Sequence, residues 1–290
     1  MIEEERNNYS VFHGLWTLAS RELKKWYKAP VILLLSLIQP IFWIGIFGKA
    51  MNLGSIFTET TFNIPGLTIP KQVLDQIGLE ILKQTFGTTD YFSFLAAGML
   101  SFIVLFTSMQ SGMSIVWDRR LGVLDRILTT PVPRGNIIIG KVLSAVIRSL
   151  VQATIVLVVA VLLGMTFAPE INPLDFLGVY AALFLMSFGL SSLFLMLALR
   201  ATSWESQMAI MNLLNLPLLF TSNAFYPVKS MPYWLKPVAY INPLTYSNGV
   251  ARGMLLGIST NLAIDFLYLG LFAIILSTIG IVLSWKYLSK

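Results

Sequence analysis

The residues that could do chemistry are few, and most lie in one place. Gly135-Asn136-Ile137-Ile138-Ile139-Gly140-Lys141 matches G-x-x-x-x-G-K, the opening of a phosphate-binding loop. Such a loop needs Ser or Thr next, to hold Mg²⁺; here Val142 follows. It also follows a buried strand and opens a soluble helix, whereas this one follows Pro133 and opens an apolar run. We read the match as a decoy, with Lys141 at the headgroup level and the glycines allowing close helix packing. There are no cysteines and a single histidine, His13, so metal clusters built from His and Cys are excluded. His13 reads as a polar-face residue, and no nucleophile–base–orienter set is visible.

What remains is a charged stretch, Trp117 to Lys141, between two long apolar runs, Tyr91–Val116 and Val142–Thr166. It holds Asp118, Arg119, Arg120, Asp125, Arg126, Arg134 and Lys141 in a chain that is only 12% charged. Pro131 and Pro133 stop any helix begun at Arg120, because proline lacks the backbone N–H and clashes with the preceding turn. The sequence therefore predicts a short charged helix and a rigid turn between two membrane spans, a handle pushed from the cytoplasmic side.

The apolar runs carry few charges. No Asp or Glu falls within the expected spans, which weighs against a proton- or sodium-driven carrier. Arg148 is the one charge inside them, about 10 Å beyond Lys141 at 1.5 Å per residue. Its expected behaviour is to snorkel back to the interface, with direct substrate contact as the alternative. Gln110, Ser108, Ser111 and Ser114 in the second span, Gln152 in the third, and Asn212 and Asn215 in the fifth are uncharged but polar. They read either as interhelical hydrogen bonding or as a polar seam along a passage. Met109, Met113, Met208 and Met211 read as apolar filler.

The elements that would position these residues follow from composition. Of 290 residues, 56% are hydrophobic, and the mean hydropathy is +0.75. Runs of about 20 apolar residues indicate bilayer spans, so the expected class is an all-α integral membrane protein. Six spans are expected, at 31–48, 91–116, 142–166, 177–199, 207–224 and 266–284. Pro40 should kink the first. Residues 10–28 read as an amphipathic interfacial helix, with Phe12, Leu15, Trp16, Ala19, Leu23 and Trp26 on the apolar face. Residues 49–90 read as an outer loop, with a short helix at 71–86, and 225–262 as an outer re-entrant helical hairpin too short to cross. The whole chain, 1–290, reads as one transmembrane domain. MIEEERNNYS has no basic region running into an apolar core, so no cleaved signal peptide is expected.

Charge orients the bundle. With six spans, both termini and the 117–141 loop share one side, and that side carries 13 of the 20 Lys and Arg residues against 6 opposite. The excess predicts that the side of the termini is cytoplasmic. In such a chain the net charge of +6 points to topology and anionic lipid, not to nucleic acid.

Two blocks of the sequence resemble a known family. One is Trp117-Asp118-Arg119, Gly122-Val123-Leu124, Thr130-Pro131-Val132-Pro133-Arg134 and Gly140-Lys141. The other is Ser222-Asn223-Ala224-Phe225-Tyr226-Pro227, Met231-Pro232-Tyr233-Trp234-Leu235, Ile241-Asn242-Pro243-Leu244-Thr245-Tyr246 and Arg252. Together they look like the ABC-2 type transporter permeases, most similar to the daunorubicin-resistance, drug-export branch. The resemblance implies the ABC-2 exporter fold, in a non-catalytic subunit that binds no cofactor. ATP and Mg would be bound by a separate ABC ATPase, present in two copies, and the permease would pair with a second copy of itself as a homodimer in the plasma membrane. It implies a coupling helix at about Arg120–Leu128 in a groove of the ATPase. Leu121, Val123, Leu124 and Leu128 would seat it, Arg119, Arg120, Asp125 and Arg126 would make polar contacts, and Pro131 and Pro133 would stiffen the turn. The second and fifth spans would face the partner permease, with Gln110, Ser111, Ser114, Asn212 and Asn215 along the translocation path. The implied function is outward, ATP-driven movement of an amphipathic drug or lipid-like solute. Alternatives are export of a lipid-linked glycan by the same fold, an intramembrane transferase, or a stand-alone channel. The second and fifth spans are poor in Trp and Tyr, which favours the drug or lipid reading over the glycan.

Overall fold

The computed structural model describes residues 11–50, 71–130, 134–201 and 203–288. The first ten residues, most of the outer loop before Lys71, and Pro131 and Pro133 lie outside them. Among the described residues every regular element is a helix. We number them α1 (Val11–Tyr27), α2 (Pro30–Trp43), α3 (Lys71–Phe86), α4 (Tyr91–Arg120), α5 (Val123–Leu128) and α6 (Arg134–Leu162). Then come α7 (Pro173–Arg200), α8 (Trp204–Phe220), α9 (Lys236–Ile241), α10 (Pro243–Leu256) and α11 (Leu262–Leu288).

Four stretches are long and apolar enough to cross a membrane: Asp75–Arg120, which contains α4, and α6, α7 and α11. Two others stand where spans are expected. The 17-residue α8 would reach about 25 Å at 1.5 Å per residue. The 14-residue α2 contains Pro40 and runs on as a π-helix over Ile44–Ala50. Proline withholds an N–H and crowds the carbonyl four residues back, here Ser36, so its effect falls on the turn before it, whereas the π-helix starts four residues after it.

α4 is the axis of the bundle. It begins at Asp90, whose carboxylate accepts from the Phe92 N–H at 3.0 Å and from the Ser93 hydroxyl. The apolar window of its stretch is 94% buried within the chain, against 22% for α11, which therefore lies at the periphery. α6, α7, α8 and α10 pack around α4. Its small residues make this possible: a side chain on Gly112 would meet the Phe194 carbonyl oxygen of α7 at 2.6 Å. Three residues of the expected polar seam, Ser108, Ser111 and Gln152, prove to stitch helices together, as other hydroxyls do. Ser101 donates to Ser247 of α10, Ser149 of α6 donates to Ser187 of α7, and Gln152 of α6 joins Thr107 of α4 to Ser36 of α2.

The 225–262 region contains a 3₁₀ turn, α9 and α10, with none of them span-length. Arg252 of α10 is 3% exposed and ties this region to α4. Its guanidinium donates to the carbonyls of Phe94, Asn223 and Ala224 at 3.1, 2.6 and 2.7 Å and lies 3.4 Å from the Phe94 ring centroid. A planar fork can serve three fixed carbonyls at once, which a lysine ammonium on a flexible stem does less well.

Candidate coupling loop and membrane cavity

The charged end is built around a lysine that sequence alone places at the headgroups. Lys141 is instead 3% exposed. Its ammonium donates to Asp118 at 2.6 Å, to Ser114 Oγ at 3.2 Å and to Glu22 at 3.5 Å. Asp118 and Glu22 are themselves buried. Arg21 bridges them at 2.9 and 2.8 Å, and Lys25 does so at 3.0 and 3.2 Å. Three helices, α1, α4 and α6, thus share one ion cluster of three cations and two carboxylates. Burial alone would push the Glu22 carboxyl up. The Lys141 charge and the Arg21 hydrogen bond outweigh burial and the repulsion of Asp118, holding it below its ordinary value.

α1 reaches this cluster by a face that shares Ala19 with the expected one but is turned towards Glu22: both are buried, while Trp16, expected on the apolar face, is 58% exposed. The helix lies against α6, where Gly140 leaves room for Leu15 and Leu18; a side chain there would meet Leu18 Cβ at 3.1 Å. That is the close packing expected of Gly140, whereas Gly135 has open space around it.

The expected helix at Arg120–Leu128 is divided. α4 continues to Arg120 and is closed by the Leu121 and Gly122 N–H groups, which donate to the Trp117 and Arg119 carbonyls. Gly122 takes φ +64°, the left-handed region that favours glycine, and the chain restarts as α5 at Val123. α5 presents two faces. Leu124 and Ile127 are buried against the bundle, so Leu124 is not free to seat a partner. Val123 and Leu128 are partly covered by the same cluster. Leu121, at 64% exposed, and Arg120, Asp125 and Arg126 face outward. Arg119 bonds inward instead: its guanidinium donates to the Ala201 and Leu199 carbonyls at 3.1 and 3.0 Å and so holds the α7–α8 corner.

Beside the cluster a cavity of about 560 Å³ opens along α4 and α8. Phe106, Gln110, Ser114 and Trp117, at helical spacing, form one wall of it on α4. Met208, Met211, Asn212 and Asn215 form the facing wall on α8, and Arg148 of α6 closes one side. Four of the five path residues named from sequence come together here. Ser111 does not: it is fully buried and donates to the Ser108 carbonyl at 2.6 Å. The methionines read as filler all line the cavity. Met is unbranched and polarizable, which suits a wall that meets varied shapes.

Sequence reasoning missed Glu22 and the depth of Lys141. The available signal was the helical register of α1, which sets Glu22 one turn beyond Leu18 and Ala19.

The family model of the ABC-2 type transporters matches residues 13–256. The chain is 28% identical over 235 residues to a ycf38 transport permease of Cyanophora paradoxa, covering 80% of this chain and 71% of that protein. It is 27% identical over 171 residues to the daunorubicin resistance ABC transporter permease protein DrrB1 of Streptomyces coeruleorubidus, covering 59% and 60%. To the multidrug ABC transporter permease YbhR of Escherichia coli K12 it is 28% identical over 165 residues, covering 56% and 44%. With its apolar helices packed around α4 and its match over most of its length, this chain belongs to the ABC-2 type transporter family.

Proposed function

We propose that the chain is the membrane-spanning half of an ATP-driven exporter of amphipathic solutes. ABC-2 permeases generally work with an ABC ATPase, often as dimers. In this reading two ATPase copies dock on two identical permeases, and ATP and Mg stay on the ATPase. The chain spans the plasma membrane six times, counting α2 and α8, with both termini cytoplasmic. α9 and α10 form an outer re-entrant pair.

One observation carries the reading. α5 is short and two-faced: it is fixed to the bundle by Leu124 and Ile127, while Leu121, Arg120, Asp125 and Arg126 remain exposed. A force applied to that outer face reaches α4 through two residues, Leu121 and Gly122, and α4 lines the cavity. The three-helix ion cluster keeps the base of α4 from sliding independently of α1 and α6. ATPase closure would then rock the helices as bodies, and a solute in the cavity would move outward.

The test is co-purification and transport with Arg120→Glu/Arg126→Glu. Both side chains are exposed, so the fold should survive the reversal. The expected result is loss of ATPase association by tenfold or more with an unchanged melting temperature, tenfold being about 1.4 kcal/mol. Normal association and transport in that variant would refute the assignment.

A further inference from the structure

From Arg148 and the cavity it borders, we infer that this permease recognises amphipaths with a net-anionic head, a phosphate or carboxylate end on a hydrocarbon body. The inference rests on the transport reading and narrows its substrate class.

Arg148 lies two helical turns past Lys141, on the same face of α6, and is half-buried. Its Nε donates to the Ser144 carbonyl at 3.3 Å, and its two terminal nitrogens have no hydrogen-bond partner among the described residues. The two carboxylates that line the cavity with it are Glu22 and Asp118, and neither is in an ion pair with it. Glu22 is already held by Lys141, Arg21 and Lys25. Asp118, the other carboxylate at the cavity, is held by the same three cations. With Arg21 and Lys141, which stand behind the lining, four cations meet two carboxylates, so the charge around this end of the cavity is net positive.

A guanidinium in a membrane helix is costly unless something pairs with it. Its free edge offers parallel N–H donors, which match a phosphate or carboxylate as a fork. The remaining polar groups suit the neck of such a molecule. The Gln110 and Asn212 side chains border the cavity, and the Asn215 Oδ1 is buried without a partner. Phe106, Met109, Met113 and Met211 supply the apolar length for a chain. The head would sit at Arg148, with the hydrocarbon along α4 and α8.

The cavity carries its own reporters, Trp117 and Trp204, whose rings meet edge to face at 4.7 Å. The experiment uses the full chain in maltoside micelles, which contain no phosphate. Phosphatidylglycerol and phosphatidylcholine with identical brominated acyl chains are the probes, and their quenching is corrected with a Trp117→Phe/Trp204→Phe variant. The expected result is saturable quenching with roughly tenfold tighter binding of the anionic lipid, the size of one charge-assisted contact. Arg148→Gln should bring the two lipids within twofold, and Arg148→Lys, which keeps the charge but loses the fork, should keep only part of the preference. Lys24→Gln, an exposed charge on α1, should keep all of it.

Equal binding of the two lipids by the wild type would overturn the inference. So would an undiminished preference in Arg148→Gln, or a preference lost equally in Lys24→Gln, which would mean general surface attraction. Millimolar inorganic phosphate should displace little of the lipid; complete displacement would mark a small-anion site and defeat the amphipath assignment. The assay needs neither ATP nor the ATPase, so its failure leaves the coupling assignment standing, and failure of coupling leaves this binding result intact.

Discussion

Lys141 holds the charged end together, and its removal should be felt more than any other single change there. Lys141→Met would leave Glu22 and Asp118 buried without their central cation. Breaking a buried pair on one side costs about 3–5 kcal/mol, because the remaining charge keeps its desolvation penalty. The expected outcome is a large fall in thermal stability, measured on the purified chain in detergent, with partial recovery in Lys141→Met/Asp118→Asn. Glu22 adds a pH signature. Its folded value lies below its unfolded one, so its contribution is present above the unfolded value of about 4.3. It is lost as pH falls through the folded value. Stability should therefore hold from neutral pH down to about 5 and fall below about 4, and Glu22→Gln should flatten part of that acid limb. A melting curve that keeps falling between pH 7 and 5 in a Glu22-dependent way would contradict the cluster geometry. These residues also mark the limit of reading charge from sequence. Hydropathy separates charged from apolar segments, but it does not say whether a charge at a helix end points to water or to an oppositely charged residue 119 positions away.

At the scale of elements, the joint between α4 and α5 is the part most open to a single substitution. Gly122 alone supplies the left-handed turn between them. Gly122→Val should cost about 1–2 kcal/mol from backbone strain and, under the coupling reading, reduce transport more than it reduces expression. Equal transport per folded molecule would show that the joint transmits nothing. The short helix α5 was legible in the chain as a charged run between two apolar ones. The division at Gly122 was less so, since a glycine within a charged run reads equally as a tolerated helix residue. The inward aim of Leu124 was also hidden. An apolar residue on a six-residue helix has two candidate surfaces, the bundle and a partner, and only packing decides between them.

For the whole molecule, hydropathy made the long helices α4, α6, α7 and α11 legible, because each is a continuous apolar run. It did not reveal which of them is central. α4 and α11 are both strongly apolar, yet the apolar window of one is 94% buried by its own chain and that of the other only 22%. The difference lies in small and hydroxyl residues, Gly98, Ser101, Ser108 and Gly112 among them, which let neighbours approach α4 closely. The consequence for function is mechanical: the helix that α5 joins is the one around which the others pack.

The central claim is that α5 faces the compartment that holds ATP. The chain has no cysteine, so a single Asp125→Cys, on the exposed face of α5, gives one label site without further change. Treated with a membrane-impermeant maleimide, that residue should stay unlabelled in intact cells and become labelled in inside-out vesicles. Association with the ATPase should then protect it again. Ready labelling from outside intact cells would place the segment on the wrong side of the membrane and contradict the account.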